Sequence, residues 1–295
     1  MSLFHGLSAF PLTPADDDGR VDTDALCALL ERIVASGADS IGLLGSTGAY
    51  AFLSREERKR AVVAAVKCVG GRMPIIVGAG VLRTDQAQHL ARDAAEAGAD
   101  GLLLAPVSYT PLMEEEVFQH FSSVASAASL PLCIYNNPGT TKFVFSEDLI
   151  ARLSGVPNIA AIKMPLPADG DFTGEIARLR AKTPKDFAIG YSGDWGSPEA
   201  LLQGADCWYS VVAGLLPVPA LRLARAAQAK DAAGTKRLND QFQPLWALFG
   251  EFGSFRVMYA IADILGLAKT RPPLPILPPP ASARPRIEAA LKDLI

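Results

Sequence analysis

The 295-residue sequence has only three histidines, four cysteines, 7% aromatic residues and a formal net charge of just −3. His5, His89 and His120 are scattered, and the last two fall inside helical patterns, so no metal site is expected. Cys27, Cys68, Cys133 and Cys207 have neither the spacing of a thiol redox motif nor that of a zinc site; free thiols in a reducing cytoplasm are the expectation. The near-neutral balance, without a basic block, argues against nucleic acid as a partner. No apolar run reaches membrane-spanning length. The opening MSLFHG lacks the basic and apolar regions of an export signal, so a cytoplasmic protein with no membrane partner is expected. No Gly-x-Gly-x-x-Gly follows the first strand pattern and no phosphate-loop motif occurs, which speaks against a nucleotide-binding open sheet.

What is present is an alternation. Hydrophobic residues make up 49% of the chain and charged residues 20%, an ordinary globular balance able to bury a large core. Short apolar runs at residues 7–12, 40–44, 75–77, 101–105, 132–135, 158–163, 187–190 and 207–212 read as strands. Helical periodicities lie between them. Asp22 or Thr23 caps the first, with Leu26, Leu29, Leu30, Ile33 and Val34 on its face. Ser54 and Glu57 form a capping box for the second, Thr84 is placed to cap the third, and Pro111 and Ser146 open the next two. Further helices are expected at 172–180, from Pro198, and at 217–229. Gly37-Ala38-Asp39, Gly98-Ala99-Asp100 and Gly204-Ala205-Asp206 each end a helix just ahead of a strand, the glycine supplying a left-handed turn.

Eight strands alternating with helices over residues 1–233 predict a closed (β/α)8 TIM barrel; a doubly wound open sheet is the alternative. From residue 234 the strand signal stops. Helices at 237–249 and 254–265, a proline-rich extended stretch from Pro272 to Pro280 and a last helix at 283–294 form a predicted C-terminal helical extension over 234–295. It either packs on the barrel or serves as an oligomer contact.

The candidate chemistry centres on Lys163, which ends the apolar run Ile159-Ala160-Ala161-Ile162. Active sites of such barrels gather at the C-terminal strand ends, so this amine would stand at the mouth, partly desolvated and able to attack a carbonyl. Ser46-Thr47, the stretch Tyr135 to Thr141, and Ser192-Gly193-Asp194 follow other strands to the same end. An imine-forming lysine needs a proton shuttle. Tyr135, one strand away, is the candidate, with Thr47 orienting its phenol. Ser46, Thr47 and neighbouring N–H groups suit a substrate carboxylate. Plainer roles stand beside these: a structural turn for Gly45-Ser46-Thr47-Gly48, a core or rim aromatic for Tyr135, and a helix cap for Asp194, the preferred reading of that residue. Trp195, Trp208, Tyr209 and Phe187 are candidates for lining the mouth, and Trp208 equally for the core.

In order and spacing, these motifs resemble the dihydrodipicolinate synthase and N-acetylneuraminate lyase family, pyruvate-dependent class I aldolases on a (β/α)8 barrel. Gly45-Ser46-Thr47-Gly48 is similar to that family's carboxylate loop, Tyr135-Asn136-Asn137-Pro138 to its Tyr-Asn-x-Pro motif, Ala161-Ile162-Lys163 to its Schiff-base strand and Ser192-Gly193-Asp194 to its seventh-strand signature. The resemblance implies that Lys163 forms an imine with pyruvate or another 2-keto acid and that Tyr135 shuttles protons. It implies that Ser46 and Thr47 bind the carboxylate, with Thr47 in the relay to Tyr135. It also implies that no metal or organic cofactor is needed, and that the chain forms a homotetramer or homodimer.

Departures from the family pattern bear on substrate. Thr140 stands where the synthases resemble one another in carrying an arginine, and it cannot make a bidentate carboxylate pair. Ser108 stands where a relay tyrosine from a neighbouring subunit is expected, with Tyr109 beside it as a substitute if the loop shifts. Ala49 replaces the usual glutamate, and Trp208-Tyr209 would narrow the pocket. Thr140, Tyr109 and Tyr209 are thus the candidate contacts for the rest of the substrate. The leading expectation is a lyase or aldolase acting on a 2-keto acid by carbon–carbon cleavage, condensation, or dehydration of a deoxy-keto sugar acid. The alternatives are a 4-hydroxy-tetrahydrodipicolinate synthase condensing pyruvate with aspartate semialdehyde, and a weakly active or inactive keto-acid-binding barrel.

Overall fold

Strand hydrogen bonds are satisfied only by neighbouring strands, and a helix after each strand carries the chain back to start the next one parallel. The computed structural model of the protein, which describes residues 3–295, shows eight strands closed on themselves. They are β1 (Gly6–Ala9), β2 (Ser40–Leu43), β3 (Ile75–Gly78), β4 (Gly101–Leu104), β5 (Leu132–Tyr135), β6 (Ile159–Met164), β7 (Ala188–Tyr191) and β8 (Cys207–Ser210). Each pairs in parallel with the next, and β8 returns to β1 with Gly6 opposite Cys207 and Ala9 opposite Ser210. The outer layer is α1 (Thr23–Ser36), α2 (Arg55–Val69), α3 (Thr84–Ala97), α4 (Glu114–Ala125), the short α5 (Pro138–Thr141), α6 (Glu147–Ser154), α7 (Phe172–Lys182), α8 (Ser197–Leu202) and α9 (Pro217–Gln228). This is the closed barrel expected from the alternation, and the open-sheet alternative is set aside.

Successive strand residues point to opposite faces, so the core has two compartments. Leu7, Ile41, Val77, Ile134, Ile162 and Trp208 face the helices, while Ile76, Leu103, Cys133, Ala161, Ala188, Cys207 and Tyr209 face inward. The Gly-Ala-Asp recurrence has a structural purpose beyond its glycine. Gly37, Gly98 and Gly204 adopt positive φ at helix ends. Each aspartate then accepts a backbone N–H from the preceding strand: Asp39 from Leu7 at 2.7 Å, Asp100 from Ile75 at 2.8 Å and Asp206 from Ile189 at 2.7 Å. The carboxylates thereby tie adjacent strands together at the closed end, opposite the mouth.

Several helix boundaries differ from expectation. Thr84 does not cap α3; its hydroxyl goes to Nδ1 of His120 on α4, 2.9 Å away. α4 starts at Glu114 rather than at Pro111, where the Met113 N–H donates to Glu116 at 2.7 Å. Beyond the barrel, α10 (Ala232–Phe252) begins earlier than expected, capped by Asp231, and runs through both Pro244 and Gly250. α11 (Ser254–Ile264) and α12 (Arg284–Leu291) complete the C-terminal helices. Thr270, in the extended segment between them, exchanges two hydrogen bonds with the Ala15 backbone, at 3.3 and 3.1 Å. Among the described residues no helix is long and apolar enough to cross a membrane.

Candidate functional site

β6 carries Lys163 inward because Ala161 two residues earlier also faces inward. Lys163 is directly opposite Tyr135 of β5 on one side and Gly190 of β7 on the other. The lysine is only 3% exposed, and no carboxylate lies within ion-pairing distance of it among the described residues. Aromatic faces surround the amine instead. Nζ lies 4.3 Å from the centroid of Phe10, 4.3 Å from that of Tyr135 and 5.8 Å from that of Tyr209. Each such contact favours a cation there by roughly 0.5–2 kcal/mol. Missing side chains make the room for these rings. A Cβ on Gly42 would run into Phe10, one on Gly45 would meet it at 2.6 Å, and one on Gly190 would meet Tyr209 at 2.5 Å.

The phenol of Tyr135 has two side-chain partners. Its oxygen is 3.1 Å from the Ser46 hydroxyl and accepts from the Asn137 amide at 2.9 Å. The hydroxyl that reaches the phenol is therefore that of Ser46, not of Thr47 as expected. Thr47 is buried in the same loop. Leu44 and Ala49 bracket this loop with positive φ of 56° and 54°, and the Ala49 N–H closes it on the Ser46 carbonyl at 3.1 Å. The N–H groups of Ser46, Thr47 and Gly48 find no acceptor among the described residues. Unclaimed N–H groups on a turn bracketed by left-handed residues are the material of an anion-binding nest.

Beneath the amine the barrel is filled by neutral groups. Tyr209 is fully buried, and its hydroxyl is 3.4 Å from the Cys133 thiol. Burial pushes the Cys133 thiol up to about 12 and the Tyr209 phenol well above its ordinary value. Tyr209, expected as a substrate contact, thus turns its polar end away from the mouth and offers the amine only a ring face. Trp208 faces the helices and is core, and Phe187 is likewise buried in that layer; Trp195 is half-exposed.

Asp194 is neither a catalytic acid at the mouth nor the cap of α8, whose N-cap is Gly196. It is buried and accepts from Trp208 Nε1 at 2.9 Å and from the N–H groups of Val211 and Val212 at 3.1 and 2.7 Å, bracing the chain as it leaves β8. Burial raises its carboxyl above the usual range while these donors pull the other way. Thr140 lies on α5, exposed, and its hydroxyl donates to the Asn137 carbonyl at 3.3 Å. Tyr109 is 97% exposed, so within its own chain it takes no part in the cluster around Lys163.

Sequence reasoning missed Phe10, Asn137 as a partner of the phenol, and Arg58. The last is a buried cation, lowered to about 10 by burial, that holds the Gly78 and Gly80 carbonyls at the tip of β3 at 2.7 and 3.1 Å. Phe10 had a visible signal. Glycines at 42 and 45, on and just beyond the inward side of β2, call for a large neighbour to fill the space. All four cysteines are free. Among the described residues no three His, Cys, Asp or Glu side chains are grouped to hold a metal.

Comparison with known proteins follows the same lines. The model of the Dihydrodipicolinate synthetase family matches residues 3–294. The 4-hydroxy-tetrahydrodipicolinate synthase of Laribacter hongkongensis is 35% identical over 286 residues, covering 95% of both chains. Among solved structures, dihydrodipicolinate synthase from Agrobacterium tumefaciens is 61% identical, with a TM-score of 0.98 and 99% of each chain covered. The chloride-inhibited dihydrodipicolinate synthase of Acinetobacter baumannii, complexed with pyruvate, is 31% identical, with a TM-score of 0.88 and 100% of each chain covered.

Proposed function

Since the chain belongs to the dihydrodipicolinate synthetase family, we propose that it is a class I aldolase-type lyase in which Lys163 forms an imine with pyruvate or a related 2-keto acid. The observation that carries this reading is the arrangement at one mouth of a buried amine, a phenol with its ring 4.3 Å away, and a loop of unclaimed N–H groups beside Ser46. The nest and the Ser46 and Thr47 hydroxyls hold the substrate carboxylate, which places the neighbouring keto carbon over the amine. The amine attacks that carbon, and the Tyr135 phenol protonates the departing hydroxyl so that water leaves and the iminium forms. The rings of Phe10, Tyr135 and Tyr209 favour that cation in the absence of a carboxylate counter-ion. Carbon–carbon cleavage, condensation and dehydration of a deoxy-keto sugar acid all proceed from this species.

The names of the relatives favour a narrower reading, a 4-hydroxy-tetrahydrodipicolinate synthase using aspartate semialdehyde. Thr140 weighs against it, because an uncharged hydroxyl engaged with a backbone carbonyl offers no bidentate grip on a second carboxylate. Tyr109 would join the site only if a second copy delivered it, which fits assembly as a homodimer or homotetramer. Four free thiols suit a cytoplasmic setting.

The test is reductive trapping. Borohydride with pyruvate should yield a covalent adduct on Lys163 by peptide mass analysis, and Lys163→Ala should yield none. An undiminished adduct in the variant would sink the imine. Turnover of pyruvate with aspartate semialdehyde, assayed beside a panel of deoxy-keto sugar acids, separates the two substrate readings.

A further inference from the structure

We propose that Asn137 is a positioning residue of the proton relay: its amide N–H, with the Ser46 hydroxyl, holds the Tyr135 oxygen as a phenolate between two proton transfers, inside a single chain. The proposal rests on the imine reading above. After the phenol has given its proton to the departing hydroxyl, the phenolate must persist until it takes a proton from C3 of the iminium. In that second step the C3–H bond breaks, its electron pair forms the C2=C3 bond of the enamine, the iminium nitrogen becomes neutral, and the proton returns to the phenol. Charge and protons balance without any outside base. Between the steps a negative oxygen sits on a side chain only 6% exposed, where it needs donors fixed in advance.

The structure supplies one such donor in an unusual way. Asn137 is the N-cap residue of α5, and an asparagine there ordinarily turns its side chain onto the helix N–H groups. Its side chain makes no capping bond and reaches the phenol at 2.9 Å instead. The α5 N–H groups are met by the Asn137 carbonyl, which accepts from the backbone of Thr140 and Thr141 at 3.1 and 3.0 Å. The hydroxyls of the same two threonines add bonds at 3.3 and 3.0 Å. Four donors thus pin the asparagine backbone and leave its amide free to serve the phenol. Thr140, which gives no charge to a second substrate, acquires a purpose here, as an anchor of Asn137. Asn136 differs: its amide goes to Met164 Sδ at 3.6 Å, away from the phenol.

Exchange of the pyruvate methyl protons in deuterated water, followed by NMR, reads the second transfer directly. Asn137→Leu removes the donor at similar volume, and Asn137→Asp replaces it with an acceptor at nearly unchanged shape. Both should slow exchange by about 10–100-fold and move the acidic limb of the exchange–pH profile to higher pH, while the borohydride adduct on Lys163 at saturating pyruvate keeps its wild-type yield. Three outcomes would overturn the proposal. They are wild-type exchange in Asn137→Asp, a parallel loss of exchange and adduct with an unmoved profile, and a profile shift produced by Tyr109→Phe but not by Asn137→Leu. A wild-type protein that forms no adduct removes the imine reading itself; a normal adduct with unaltered exchange in the variants removes only the role of Asn137.

Discussion

Ser46 and Thr47 are adjacent hydroxyls, and only one meets the phenol. Strand alternation decides which face a residue takes, but that rule stops at the end of β2, where Leu44 enters the left-handed region with φ of 56°. The choice of Ser46 was therefore out of reach of periodicity, whereas Tyr135 and Tyr209 lie within strands where alternation holds, and Lys163 lies in β6 beyond its register shift against β5, where alternation runs from Ala161 onward. The two hydroxyls should separate kinetically. Ser46→Ala is expected to slow methyl exchange of pyruvate by about tenfold or more through loss of the phenol contact. Thr47→Val should chiefly raise KM for pyruvate by weakening the carboxylate site, with kcat changed less. Steady-state kinetics of the two variants side by side check this, and equal effects on both constants would remove the distinction.

Between elements, the contact of α3 with α4 holds a buried switch of stability. Thr84 bonds Nδ1 of His120, while Nε2 is buried and finds no partner among the described residues. Burial depresses the imidazole from 6.5 to about 4. Between those two values the unfolded chain takes up a proton that the folded chain refuses. The stabilising contribution is thus complete above pH 6.5 and is lost as pH falls toward about 4, by an amount of about 1–3 kcal/mol. Urea midpoints measured between about pH 7 and about pH 4 should show this decline, and His120→Gln should flatten it. Sequence gave the helices here but not their contact, since a Thr–His pair on facing helices has no local signature. It likewise showed the three Gly-Ala-Asp turns as helix ends while leaving their aspartates unexplained, because each carboxylate bonds a strand that precedes it in the chain.

At the scale of the whole molecule, the barrel was legible because closure needs only a count of strands and the regular recurrence of helices. The link between the two ends of the chain was not. Thr270 and Ala15 are 255 positions apart, and the pair leaves no periodic trace. That link bears on the site: the loop it fastens also carries Thr13, whose hydroxyl lies so near Gly48 that an added Cβ would meet it at 3.0 Å. Thr270→Val, which loses both bonds to Ala15, should lower stability by about 1–2 kcal/mol and raise the pyruvate KM while still allowing the Lys163 adduct. Chemical denaturation and saturation kinetics together test this, and a lower stability with unaltered KM would separate the stitch from the site.

The same stitch sets an order for folding. The amine, the phenol and the anion loop are drawn from the strands of the barrel, yet the bonds that steady the loop come from a residue 255 positions after Ala15 and so carry the entropy of a very long loop closure. Refolding followed in the presence of pyruvate should accordingly show ligand capture lagging behind burial of the barrel core, with competence dawning only once this distant pair has closed.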